Sequence, residues 1–199
     1  MLKNMKLSVR LIGGFTVVFL FLLLIAAVTL KALNVTTATF ELFIEQDFGI
    51  TTNALKMETL LLQCRTAEKE YQQNPDRKFL NRQAQALNAF KDSVTRIMDL
   101  SETSADGELQ EKARAILPLA ARYRAQFEAL VLAHEQPQTS PETLKSAASL
   151  LQDFSERLEC AVQAVSQAAT RQALSRASAV KSKAKAHSAT AMFLVLVAL

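Results

Sequence analysis

Residues 109–134 read LQEKARAILPLAARYRAQFEALVLAH. The apolar members return every three or four positions: Leu109, Ala113, Ile116, Ala120, Tyr123, Phe127 and Leu130, with His134 closing the row. That spacing draws one stripe along a helix, whereas a strand would alternate inward and outward at every residue. Three further stretches carry the same signature. A first helix has Met57, Leu60, Cys64, Ala67 and Tyr71; a second has Phe79, Leu87, Phe90, Val94 and Ile97. The last has Leu144, Ala147, Leu151, Phe154, Leu158, Ala161, Val165 and Ala168. Such stripes are the seams of helices packed on one another. Pro118 predicts a kink in the third helix, and Gly49 is expected to weaken the lower part of the first.

Three breaks separate these helices. At Asn74-Pro75-Asp76, Asn is a cap, Pro suits the first helical position and Asp favours a helix N-terminus. Ser101 to Gly107 is the second break. Gln136 to Pro141 is the third, where Ser140-Pro141-Glu142 repeats the capping logic. The expected helices run about 32–73, 76–103, 106–135 and 141–188. These lengths predict an all-α, up-down-up-down four-helix bundle on a two-helix stalk, because the first and fourth helices outlast the other two. At about 1.5 Å per residue the whole rises roughly 60 Å. In the stalk the fourth helix's stripe turns small and polar, through Gln172, Ser175, Ala179 and Ser182.

Composition agrees. Of 199 residues, 50% are hydrophobic, which sets the chain apart from disordered sequences. Four glycines and four prolines are too few for a sheet protein with many tight turns. Two cysteines and two histidines cannot supply a usual four-ligand zinc site. The glycines (13, 14, 49 and 107) form no phosphate loop, and no cofactor is implied. No histidine is paired with a serine or cysteine motif, so the chain reads as a binding protein and not an enzyme.

Charge lies in blocks. Residues 1–31 carry +4, residues 32–159 carry −5 and residues 160–199 carry +5. Basic residues beside apolar segments read as membrane flanks. They are not interleaved with aromatics as in single-strand nucleic-acid binders. Between Arg10 and Lys31, residues 11–30 hold no charge and match one hydrocarbon core. The stretch is longer than a signal-peptide core and lacks a clear cleavage site, so an uncleaved transmembrane helix is expected. Lys3, Lys6 and Arg10 precede it, so residues 1–10 are expected in the cytoplasm and residues 31–188 outside the membrane. Residues 189–199 are uncharged and mostly apolar and read as the start of a second span.

The opening Met5-Lys6-Leu7-Ser8-Val9-Arg10-Leu11-Ile12-Gly13-Gly14-Phe15 resembles the start of many methyl-accepting chemotaxis proteins. Arg65-Thr66-Ala67-Glu68-Lys69-Glu70-Tyr71, followed by Pro75-Asp76, resembles the R-x-x-E-K-D-F stretch of receptors with bimodular helical-bundle sensors. Tyr123 to Phe127 resembles a Y-x-x-x-F stretch in the same domains. Those sensors are longer than residues 32–188, so a single four-helix module is expected. The resemblance implies a homodimer with a small-molecule ligand held between helices near the dimer interface. It also implies that the fourth helix and second span carry a small movement to a cytoplasmic kinase and adaptor, through a region beyond these residues. A membrane histidine kinase or cyclic-dinucleotide enzyme can carry a similar bundle. A ligand-free structural coiled-coil membrane protein is the third reading.

In aspartate-type receptors, an arginine placed as in Leu62-Gln63-Cys64-Arg65 belongs to the ligand site. Their further arginines fall here on Glu70 and Asn74, so the amino-acid specificity does not carry over. Arg65 can still clamp a carboxylate of an organic anion. Lys69 lies four residues on, on the same helical face. Arg157, flanking Leu158, is the third ligand-binding candidate. For each, a surface ion pair is the competing reading. Cys64 and Cys160 read as free thiols, since Cys160 falls off its stripe and a disulfide needs Cα atoms within about 7 Å. His134 reads as a core or capping residue.

Overall fold

The computed structural model describes residues 7–103, 107–136 and 138–198. It is all-α, as read, with no strand among the described residues. The elements are α1 (Leu7–Leu42), a π-helical segment (Phe43–Phe48), α2 (Gly49–Gln73), α3 (Arg77–Thr103), α4 (Gly107–Glu135) and α5 (Pro141–Ala198). Lys3, Lys6 and residues 104–106 of the second break lie outside the described residues. The chain divides into two compact units, residues 1–43 with 175–199, and residues 44–174.

In the first unit, Ile12–Ala38 is long and apolar enough to cross a membrane, and none of it is buried by the chain. Phe15, Phe19, Leu22 and Leu30 are all more than half exposed. Its polar side chains are satisfied locally. The hydroxyls of Thr16, Thr29 and Thr36 donate to the carbonyls of Ile12, Ile25 and Ala32 at 2.8, 2.8 and 2.9 Å. In α5, Ser178 and Ser182 donate in the same way to the Ser175 and Ala179 carbonyls.

The second unit is built on the seams expected from spacing. All five stripe residues of α2, all five of α3 and Leu109 through Leu130 of α4 are buried. Tyr123, Phe90, Met57, Leu87, Ile97 and Ile116 are among the largest fully enclosed side chains. Each large apolar side chain of this kind contributes roughly 1.5–3 kcal/mol by leaving water. The contacts also fix chain direction. Glu70 meets Arg82 and Cys64 meets Gln83, while Gly49 meets Leu100, so α3 runs antiparallel to α2. Glu68 meets Tyr123 and Tyr71 meets Phe127, so α4 runs parallel to α2.

Four local expectations are corrected. The first helix does not run evenly from 32 to 73. It is the end of α1, a π-helical turn and then α2. Gly49 follows that turn, and a Cβ there would stand 3.1 Å from Leu100 Cδ1. Its smallness lets α2 and α3 approach. At the first break, Asn74 closes α2 instead of capping α3, its N–H donating to the Glu70 carbonyl at 2.9 Å. Asp76 is the cap of α3, accepting from the Lys78 N–H at 2.9 Å, and α3 begins at Arg77. On α5 the buried row is Leu151, Ser155, Leu158, Val162, Val165 and Ala169. Phe154, Ala161 and Ala168 sit on its shoulder, half-buried. The cap of α5 forms as read, with the Thr143 N–H donating to Ser140 Oγ at 3.2 Å.

Candidate anion-binding groove

Within the second unit, α2 and α5 leave a groove of about 540 Å³ between them. From α2 it is lined by Arg65, Glu68, Lys69 and Gln72; from α5 by Lys145, Ala148, Ser149, Gln152 and Ser155. Both sets follow three–four spacing, so each is one face of a helix. The groove thus gathers three cations against one acid.

The acid is the deepest of these groups. Glu68 is 8% exposed. One carboxylate oxygen accepts from Tyr123 Oη at 2.9 Å, the other from Gln72 Nε2 at 3.2 Å. Burial raises its pKa above the ordinary carboxylate value, and this outweighs the Tyr123 bond and the Arg65 and Lys69 charges, which lower it. Burial, followed by the Glu68 charge, likewise drives the Tyr123 hydroxyl upward. Cys64 stands behind them, its Sγ 3.8 Å from the Gln83 carbonyl, its pKa pushed up to about 12 by burial and then by Glu68.

The cations differ. Arg65 Nη1 donates to Glu159 Oε2, joining α2 to α5. Lys69 and Lys145 make no ion pair among the described residues. The acids beside Lys69 in sequence are engaged elsewhere: Glu70 accepts from Arg82 at 2.7 Å, and Glu68 faces Tyr123. Ser155 adds a polar group without a bond. Its residue is 2% exposed, and its Oγ has no hydrogen-bond partner among the described residues. Ser93 and Ser101, also buried, instead donate to the carbonyls of Ala89 and Ile97.

Two of the three candidates from sequence, Arg65 and Lys69, therefore share the groove. Arg157 does not line it. It pairs with Asp153 at 3.1 Å on its own helix and lies over the Phe154 ring at 5.7 Å. Lys145, Ser155 and Glu159 were missed. They lie on α5, and only the register between helices places them beside α2. His134 is half-buried and edge-on to Tyr71, with ring centroids 5.9 Å apart. Cys64 and Cys160 are both free. No group of three potential metal ligands occurs among the described residues.

Chemically, the groove offers a guanidinium, two ammonium groups and an unpaired hydroxyl to one anion. In comparisons with known proteins, no family model matches the chain, and no curated protein or solved structure matches it.

Proposed function

We propose that this chain is the sensing segment of a membrane receptor, resembling the front of a methyl-accepting chemotaxis protein, which binds a small organic anion in the α2–α5 groove. The observation that carries the reading is the groove itself: Lys69 and Lys145 without ion pairs, beside Arg65 and the unbonded Ser155 hydroxyl. A carboxylate there would satisfy the hydroxyl and neutralise the ammonium groups. Charge-assisted binding of this kind needs no catalytic group, and we read the chain as a receptor, not an enzyme.

The architecture we infer is an up-down-up-down four-helix bundle of α2 to α5. It is supported by the alternating directions of α2, α3 and α4 and by a core drawn from all four helices. Ile12–Ala38 supports a first membrane span, with the N-terminus cytoplasmic by the basic residues before it and the bundle on the outer side. Residues 189–199 would begin a second span, and the output to a kinase and adaptor would lie beyond it.

A homodimer is the inferred partner arrangement. Phe48, Leu55 and Leu62 are spaced by seven residues on α2 and its preceding turn, and they are 65%, 56% and 65% exposed. Thr52, Thr59 and Thr66 follow each by four and are also exposed. An apolar residue every seven is one of the two core rows of a two-stranded coil, and the β-branched threonines occupy the other.

The test is thermal unfolding of the full chain in detergent micelles against a panel of mono-, di- and tricarboxylates. At 100 times its dissociation constant, a specific ligand should add about 2.7 kcal/mol of stability. If no carboxylate raises the melting temperature, direct anion sensing by this groove is wrong.

A further inference from the structure

The following rests on the groove being an anion site. We propose that Glu159 is a built-in competitor for that site: its carboxylate holds Arg65 while the groove is empty, and an incoming anion draws Arg65 away from it.

Arg65 stands at a partition. It lines the groove of about 540 Å³ with Lys69 and Lys145, and it also lines a smaller hollow of about 250 Å³ with Glu58, Glu159 and Gln163. The larger hollow sets two further cations and the Glu68 carboxylate beside Arg65, and the smaller one sets the carboxylates of Glu58 and Glu159 there. Within the larger groove Arg65 is the third positive charge, and it is the one already neutralised. The group that neutralises it is a carboxylate, the same chemistry as the proposed ligand.

The pair is built to exchange. Its side chains are 28% and 41% exposed, so water can replace each partner. A half-solvated pair is held weakly, whereas a fully buried one would be locked by the cost of leaving either charge alone. Arg65 also has more donors than the single bond from Nη1 uses. Turning toward the groove brings it to Glu68, Lys69, Lys145 and the unbonded Ser155 hydroxyl. Glu159 is then left in water beside Glu58.

The exchange has a structural consequence. Arg65–Glu159 ties α2 to α5, and α5 continues without a break from Pro141 to Ala198. Occupying the groove removes that tie and replaces it with ligand bonds about one to four turns nearer the start of α5, at Lys145, Ser149 and Ser155. Ligand occupancy is thereby converted into a change in which part of α5 is held to α2.

The experiment measures binding by calorimetry on the full chain in micelles. The probe is the carboxylate from a succinate, malate and citrate panel that raises the melting temperature most. Removing an intramolecular competitor of this strength should tighten binding about two- to fivefold in Glu159→Gln. Glu159→Asp, with a shorter reach, should fall between the two. Glu156→Gln removes the same charge one turn away, outside both hollows, and should leave affinity unchanged. Equal tightening in Glu156→Gln and Glu159→Gln would reduce the effect to general electrostatics and overturn the proposal. So would unchanged or weaker binding in Glu159→Gln, while wild-type binding would keep the anion reading intact. No binding of any panel member by wild type or Glu159→Gln would instead overturn the anion reading itself, and the competitor with it.

Discussion

The hydroxyl of Tyr123, on α4, donates a 2.9 Å hydrogen bond to the carboxylate of Glu68, on α2. Both residues are buried, and Glu68 also faces the groove. The bond therefore connects the hydrophobic core to the place where a ligand would bind. Its acid holds its proton to higher pH than a free glutamate, whose ordinary value is 4.5, because burial disfavours its charge.

That shift gives a pH dependence. With its folded pKa raised, Glu68 binds a proton in the folded chain at pH values where the unfolded chain has lost it. The stability this contributes is complete below about pH 4.5 and is lost as pH rises through the folded value. Glu68→Gln cannot titrate. Urea midpoints from pH 4 to 8 should show wild type losing stability relative to Glu68→Gln as pH rises. Parallel profiles would mean that Glu68 ionises as freely in the fold as outside it.

Lys69 and Lys145 are exposed, so their replacement should separate binding from folding. Lys69→Gln and Lys145→Gln should each weaken anion binding about tenfold, the loss of one charge-assisted hydrogen bond. Their unfolding free energies from urea titration should change by no more than about 0.5 kcal/mol. Arg157→Gln, outside the groove, should leave affinity unaltered. Equal losses in all three would point to net charge instead of the groove.

Ser155 should behave in the opposite way. An unsatisfied buried hydroxyl costs about 1–3 kcal/mol. Ser155→Ala should therefore stabilise the ligand-free chain by about 1 kcal/mol while reducing carboxylate affinity. A variant that is more stable and binds less well is the mark of a polar group kept for a ligand. Should Ser155→Ala destabilise the free chain, its hydroxyl has a partner already.

The seam on α2 predicts a charge-sensitive dimer. Leu55→Glu with Leu62→Glu places two acids on each partner's side of the proposed interface. Sedimentation in micelles should show the double variant at half the wild-type mass. Its core should be intact, since both leucines are more than half exposed. An unchanged mass would remove this face as the contact.

A seam made wholly of apolar residues is legible from spacing alone, as on α4, where every buried residue belongs to the stripe. On α3 the five stripe residues are buried, but so are Gln83, Ala86, Ser93 and Ser101, which the apolar spacing did not mark. On α5 the register slipped because Ser155, a polar residue, occupies a buried position and Phe154 next to it does not. The π-helical turn left no trace in the stripe, since it adds a residue where apolar Phe43, Ile44 and Phe48 flank polar Glu45, Gln46 and Asp47 without a sustained stripe. Arg65 and Lys69 were visible as a pair because a single helix sets their separation. Lys145 and Glu159 were not, because their distance from Arg65 depends on how two helices dock.

The two cysteines give the chain an experimental handle. Cys64 is enclosed, and with its pKa pushed up to about 12 it stays protonated and inert at neutral pH. Cys160 is exposed and free. A thiol-directed fluorophore or spin label should thus attach at one position without any engineering. That position adjoins Glu159, so the unmodified sequence carries its own attachment point for a spectroscopic reporter beside the Arg65 ion pair.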